Sequence, residues 1–300
     1  MTNQLHKYLF SDRLTRLQTV FLEEAWQQAF EHRDYPEPVQ TLLGELTAAA
    51  VLLAANLKMQ GSLILQAQGD GPVSLLVVEC TSTLEVRATV SLKEGVTIDP
   101  QADFKSLLNP KGEGRLVVIL EPRAQDSFKP YQGIVPLEGN SIAEALQSYM
   151  QHSEQLDTQL CLAANHERAT GMLLQRLPAT EQANTQEEDS WARNQPLFAT
   201  LKPEELLANN NDTLIKRLFW QEDLLQLPAE AVRWHCPCTR ERVSNMLKML
   251  GEAEIQDILK EQGKIEVACQ FCGAPYTFDV VDCAQLFHPN SSGPTSQKLH

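Results

Sequence analysis

Between residues 37 and 58 the apolar positions Val39, Leu42, Leu43, Leu46, Ala49, Ala50, Leu53 and Leu57 recur at spacings of three and four. That period lays one stripe along a helix, and it predicts a core helix entered through the proline-marked Asp34-Tyr35-Pro36-Glu37-Pro38. Val20, Phe21, Ala25, Trp26 and Phe30 predict another helical stretch over about 19–31. The pattern then changes period. Ser62 to Gln68 and Val73 to Cys80 are β-rich runs around Gly69-Asp70-Gly71-Pro72, a hairpin whose glycines are expected to supply positive φ. Thr83 to Leu92 alternates strictly through Leu84, Val86, Ala88, Val90 and Leu92, and Arg115 to Leu120 and Tyr131 to Val135 read as further strands.

Asn140 or Ser141 can cap a helix whose inner face carries Ile142, Ala145, Leu146 and Tyr149. Leu160 to Ala164 and Gly171 to Leu177 then read as a last pair of strands. Segregated helices and hairpin-connected strands predict the α+β class, with a core domain over residues 1–181.

Residues 181–230 hold ten acidic residues against four basic ones, yet Leu206, Leu207, Leu214, Leu218, Phe219 and Trp220 keep helical spacing. The expectation is a helical, acidic linker over 182–234 whose apolar face needs a partner surface; a peripheral helical layer of the first domain is the alternative. A small domain over 235–288 and a flexible tail over 289–300 complete the expected order.

Composition narrows the function classes. In 300 residues, 43% apolar and 21% charged describe an ordinary globular chain rather than a disordered one. The formal charge of −14 repels a phosphate backbone, which argues against nucleic acid as partner. The first 30 residues lack a signal-peptide core, and the apolar run Leu46–Leu57 is far shorter than the roughly 20 residues a bilayer requires. The expectation is a cytoplasmic protein with no membrane span.

Five of the seven cysteines fall between positions 236 and 283. Cys236-Pro237-Cys238 and Cys269-Gln270-Phe271-Cys272 form a CxC and a CxxC pair 30 residues apart. In a chain read as cytoplasmic such pairs are metal ligands or redox centres rather than structural disulfides. Four thiolates suit Zn²⁺, which accepts a closed tetrahedral set of sulfurs. Gly273 fits the turn of a zinc knuckle, and Val243, Met246, Leu247, Leu250, Ile255, Ile258 and Leu259 predict two short helices meeting near Gly251. A domain this small needs a staple, so metal binding would supply folding energy. His235, Cys283 and His288 lie close enough in sequence to substitute for a sulfur, though the four-sulfur set is complete without them; Cys80 and Cys161 read as small buried hydrophobes. Arg233, Arg240, Arg242 and Lys264 flank the pairs and would favour thiolate. An inert structural zinc knuckle satisfies the same residues.

Cys236-x-Cys238-Thr239-Arg240-Glu241-Arg242 followed by Cys269-x-x-Cys272-Gly273 resembles the bacterial thirty-three-kilodalton heat-shock proteins, the redox-regulated holdase chaperones. Gln68-Gly69-Asp70-Gly71-Pro72, Tyr131-Gln132-Gly133-Ile134-Val135, Tyr149-Met150-x-x-Ser153-Glu154-Gln155-Leu156 and Gly171-Met172-Leu173-Leu174-Gln175 extend the resemblance over essentially the whole chain. The resemblance implies a reduced, inactive monomer in which Cys236, Cys238, Cys269 and Cys272 bind one Zn²⁺. On oxidative stress it implies disulfides Cys236 to Cys238 and Cys269 to Cys272, zinc release, loss of structure in the linker, a homodimer, and ATP-independent holding of unfolding client proteins. The residues agree on one point independently: Gly263-Lys264 lacks the rest of a phosphate-binding loop.

A thiol-disulfide oxidoreductase is the competing enzyme reading of Cys269-x-x-Cys272, but such a motif ordinarily opens a helix in a βαβ unit, not a site beside a second pair. A structural zinc ribbon acting as a binding module is the other alternative, and it would want a basic, aromatic face that the charge opposes. The expectation is a chaperone and not an enzyme.

Overall fold

The computed structural model describes residues 2–123, 128–178 and 189–288. The expected tail over 289–300, and residues 182–188 of the expected linker, lie outside the described residues. The chain divides into two compact units, Met1–His235 and Cys236–His300.

The first unit opens with β1 (Gln4–Phe10), β2 (Thr15–Leu22), the short α1 (Glu24–Gln27) and the long α2 (Glu37–Ala54). β3 (Gly61–Gln68), β4 (Val73–Thr81) and β5 (Glu85–Leu92) precede α3 (Phe104–Leu108), β6 (Arg115–Pro122) and β7 (Tyr131–Pro136). Then come α4 (Ile142–His152), β8 (Thr158–Ala164), β9 (Ala169–Arg176), α5 (Ser190–Phe198), α6 (Pro203–Ala208) and α7 (Asn211–Phe219). The short strands β10 (Leu224–Gln226), β11 (Glu230–Ala231) and β12 (Arg233–Trp234) close the unit. One sheet runs β10-β1-β2-β9-β8 with β11 also on β1; the other runs β12-β5-β4-β3-β6-β7.

α2 is the common core of both sheets. Its Leu43, Leu46, Ala50 and Leu52 belong to one apolar cluster with Val20, Leu162 and Leu173 of the first sheet and Leu65, Leu76 and Val118 of the second. A helix wedged between two sheets needs close approach on more than one side. At Gly44 an added Cβ would come within 2.3 Å of the Ala164 Cβ, so glycine sets how near α2 lies to β8.

Two sequence expectations change. The stretch 19–31 is not one helix: Thr15–Leu22 is a strand flanked by β1 and β9, and only Glu24–Gln27 is α-helical, followed by a 3-10 turn over Gln28–Phe30. Both faces of β2 are covered, which erases the alternation that marks a half-exposed strand. The β3–β4 turn forms as expected, but neither Gly69 nor Gly71 has positive φ. Glycine is required there for space, because a Cβ would meet Val73 O at 2.2 Å or Leu107 O at 2.3 Å.

The face of the first sheet turned away from α2 is covered by α5, α6 and α7. Phe198, Leu206, Leu214 and Phe219 pack on Tyr8, Phe10, Leu17, Phe21, Met172 and Leu174. Buried polar pairs cross the same seam: Ser190 Oγ donates to Thr15 Oγ1 at 2.6 Å, Thr19 Oγ1 to Asn211 Oδ1 at 2.6 Å, and Asn211 Nδ2 to the Tyr8 hydroxyl at 2.7 Å. The guanidinium of Arg168 in the β8–β9 turn binds Glu23, with Nε to Oε1 at 3.0 Å, and donates to Leu207 O at 3.1 Å at the end of α6. The acidic segment thus has the partner surface its apolar spacing demanded.

The second unit contains α8 (Arg240–Leu250), α9 (Glu252–Gln262), β13 (Ile265–Ala268), β14 (Pro275–Phe278) and α10 (Val280–Phe287). α8 and α9 meet at Gly251, at φ +93°, as the apolar spacing predicted. Its core is Val243, Leu247, Ile255, Ile265, Phe278 and Cys283, little more than one layer of side chains.

Candidate metal and redox centre

Two local structures bring the cysteines together. The CxC pair lies immediately before α8, whose first turn is capped by Thr239 Oγ1 accepting from Arg242 N at 3.2 Å. Arg242 Nη1 also donates to Pro237 O at 2.9 Å, fixing the residue between the two cysteines. The CxxC pair occupies the turn of the β13–β14 hairpin, in which Ala268 pairs with Pro275. Cys269 N donates to Ala274 O at 3.0 Å and Gly273 N to Cys269 O at 2.9 Å. Gly273 sits at φ +75°, where a side chain would be strained, as the knuckle reading expected.

The sulfurs of Cys236, Cys238, Cys269 and Cys272 all lie within 4.8 Å of one another. Cys236 and Cys269 approach to 3.7 Å, Cys238 and Cys272 to 3.3 Å. A tetrahedral ion with metal–sulfur bonds of about 2.3 Å holds its sulfurs about 3.8 Å apart. The donor set therefore fits a metal that takes four thiolates, with Zn²⁺ the chemically apt choice.

The electrostatics are uneven. Burial opposes ionisation of Cys269, yet the backbone N–H groups of Cys272 and Phe271, together with the Cys236 and Cys272 thiols, bring it down to about 7. Burial raises Cys236 and Cys272. Interaction with the Cys238 thiol, together with burial, pushes the Tyr276 phenol on β14 up to about 12. Of the flanking cations, Arg240 is engaged by Asp282 at 2.8 Å and lies 4.2 Å from the Phe278 ring centre, while Lys264 pairs with Glu266. Arg242 touches the CxC loop itself.

The other candidates stand apart. Cys283 is buried in the second unit's core, with its thiol raised by burial and by Asp282 and Asp279. His288 pairs with Glu252 at 3.2 Å, and neither residue is among the clustered ligands. Cys80 is buried in the α2 core, and Cys161 lies under α6, its Sγ 3.7 Å from Leu201 O. The sequence reading did not find Tyr276 or Arg168. Tyr276 carried a usable signal, four residues after Cys272 in a strand that had to return past the first pair; Arg168 carried none.

The chain matches the family model described as Hsp33 protein over residues 3–279. It is 47% identical over 301 residues to the 33 kDa chaperonin of Methylobacillus flagellatus, covering 100% of this chain and 99% of the relative. With the 33 kDa chaperonin of Chromobacterium violaceum the identity is 46% over 286 residues, covering 95% and 94%. The crystal structure of the 33 kDa chaperonin from Thermotoga maritima superposes with a TM-score of 0.77 at 22% identity, covering 95% of this chain and 98% of that one.

Proposed function

The chain belongs to the Hsp33 family of chaperones, and from that premise we propose that it is a redox-regulated, ATP-independent holdase of the cytoplasm, inactive when reduced and activated when its four clustered cysteines are oxidised. The observation that carries the reading is the clustering of four thiols within 4.8 Å in a unit whose core, among the described residues, centres on a small cluster of six buried side chains. In the reduced state Cys236, Cys238, Cys269 and Cys272 would hold one Zn²⁺, which when bound keeps all four sulfurs as thiolates and ties the CxC loop to the β13–β14 turn.

The chemistry on the protein's side is a pair of two-electron oxidations. A thiolate takes an oxygen from a peroxide to give a sulfenic acid and releases hydroxide; its partner thiolate then attacks that sulfur, expels a second hydroxide and closes the disulfide. One peroxide is reduced for each bond, and Cys236 with Cys238 and Cys269 with Cys272 are the proposed pairs. Each bond removes two of the four donors, and a core of six residues does not hold the unit folded alone.

The segment just ahead of these cysteines is the proposed responder. Only His235 separates β12 from Cys236. The seam under α5–α7 mixes apolar contacts with buried hydroxyl and amide pairs, so both of its faces can be rehydrated when it opens. Release would bare Leu17, Phe21, Met172 and Leu174 for unfolding clients and for dimerisation.

Light scattering tests the reading. A chemically unfolded client is diluted, without nucleotide, into reduced or peroxide-treated protein at mildly raised temperature, while a chromophoric chelator follows zinc. Suppression of aggregation only after oxidation, with about one zinc released per chain, is expected from a single four-sulfur site. Zinc that stays bound under oxidant, or leaves with no gain in suppression, would make the site a structural knuckle.

A further inference from the structure

The two cysteine motifs are not held alike. Cys269 and Cys272 sit in a hairpin turn braced by four strand pairs, from Ile265 with Phe278 to Ala268 with Pro275, and by the turn bonds of Cys269 N and Gly273 N. Cys236 and Cys238 lie in irregular chain between β12 and α8, and among the described residues no strand pairs with them. Thr239 Oγ1 and Pro237 O both accept from Arg242, so those bonds shape the loop without tying it to the hairpin.

Arg240, two residues after Cys238, makes the tie. Its Nη1 donates to Thr277 O of β14 at 2.8 Å and its Nη2 to Asp282 Oδ2 of α10 at 2.8 Å, while its guanidinium carbon lies 4.2 Å from the centre of the Phe278 ring. Asp282 Oδ2 is itself fixed, accepting from Asp279 N at 3.2 Å in the capping box of α10. With the Arg240 side chain 50% exposed, the ion pair alone is a weak hold. One planar group, however, engages a carbonyl, a carboxylate and a ring on the elements that follow the CxxC turn, which a single ammonium cannot do at once.

We propose that Arg240 is a positioning residue for the cysteine centre: it latches the CxC loop to the CxxC hairpin, and so governs how readily Cys236 and Cys238, rather than Cys269 and Cys272, part from the ion and meet a reagent. The proposal rests on reading the four thiols as a metal site. A thiolate that leaves its ion either rebinds or escapes with its segment, and a segment pinned within reach rebinds. The hairpin pins Cys269 and Cys272 through its own strand pairs. Beyond the packing of Val243 and Leu247 behind it, the CxC loop depends on Arg240.

The test pulses reduced, zinc-loaded full-length protein with limiting iodoacetamide, isolates chains bearing a single alkyl group, and maps the modified cysteine. In Arg240→Met, alkylation of Cys236 and Cys238 is expected to rise about tenfold over the parent, the lower end of what losing a metal site's supporting contacts costs, with Cys269 and Cys272 changed by less than about twofold. Zinc passage to a chromophoric chelator in excess should quicken by the same factor. Ile255→Val, which loosens the shared core from a helix that carries no cysteine, should raise all four sites alike. Arg240→Lys keeps the charge but not the fork and should resemble Arg240→Met; it carries the test if the methionine variant fails to fold with zinc in excess. No rise, an even rise over all four cysteines, or full rescue by lysine overturns the proposal. Parent thiols alkylated as fast with zinc as without it would remove the metal site, and the latch with it. The holdase reading fails separately: a rise confined to Cys236 and Cys238 without any suppression of aggregation after oxidation would remove that reading and keep the latch.

Discussion

The sulfurs of Cys238 and Cys272 lie 3.3 Å apart, and the other close approach, 3.7 Å, joins Cys236 to Cys269. Each near contact links the CxC loop to the β13–β14 turn, whereas the proposed disulfides lie within each motif. The two patterns separate oxidation inside the folded cluster from oxidation coupled to its opening. Once the motifs part, closing a loop of one or two intervening residues costs far less entropy than closing one of about 30. Peptide mapping of fully oxidised protein should find Cys236–Cys238 and Cys269–Cys272. A dominant Cys238–Cys272 bridge would show that oxidation is completed without opening, and the activation scheme would lose its conformational step.

Metal removal should unfold the second unit and leave the two sheets of the first unit paired. Among the described residues the second unit has one cluster of six buried side chains and the first has two larger clusters of its own. Metal binding stabilises isolated zinc peptides by about 10 kcal/mol, more than such a core retains without it. Chelation, or Cys272→Ser, should collapse amide dispersion for 236–288 while the β3–β4 and β2–β9 pairs keep their exchange protection. Dispersed signals from α8 and α9 in metal-free reduced protein would contradict this.

The Arg168 guanidinium fastens the acidic segment to the first sheet, with Glu23 on one side and Leu207 O on the other. Arg168 and Glu23 are partly exposed, at 26% and 27%, so the ion pair alone contributes little; the charged bond to a helix-terminal carbonyl contributes more. Arg168→Met should lower the local stability of α6 and α7 by about 1–2 kcal/mol, a roughly 5–30-fold rise in their amide exchange, with β3 and β4 unchanged. The same variant should need less oxidant to suppress aggregation. Unaltered exchange in α6 would remove Arg168 from the control of this segment.

How much of this was legible in sequence depends on what covers each element. β3 and β5 alternate buried and half-buried positions, and in β5 the alternation could be read directly; β4, with Leu76, Val77 and Val78 all buried, was legible as a β-rich run beside a glycine turn. β2 is covered by α2 on one side and by α5–α7 on the other and was read as helix, because residues buried on both faces lose the period of two; β1, where the polar Gln4, His6 and Lys7 are half buried among Leu5, Tyr8 and Phe10, shows no clean period either and was missed. In the second unit the two helices meeting at Gly251 were readable, but β13 and β14 span only four residues each, too few for a period to register. Cysteine spacing identified the four clustered thiols because spacing is a local property. That Tyr276 reaches Cys238, and that the nearest sulfurs belong to different motifs, depends on how the hairpin returns past the CxC loop.

Burial lifts the Glu45 carboxyl in α2 from the ordinary 4.5 to about 8. Below pH 4.5 the group is protonated in both folded and unfolded chains and does not affect stability. Between 4.5 and 8 the unfolded chain gives up the proton while the folded one keeps it, so the folded state binds more protons and loses stability as pH rises, by at most about 1.4 kcal/mol per unit. Above 8 both forms are ionised and the loss levels off. Glu45→Gln removes the titration without removing the bulk. In calorimetry of reduced protein the variant should match the parent within about 1 kcal/mol at pH 5 and exceed it by a few kcal/mol at pH 8.5. Parallel stability curves for the two proteins from pH 5 to 9 would mean that the Glu45 carboxyl is solvated in the folded state and carries no such penalty.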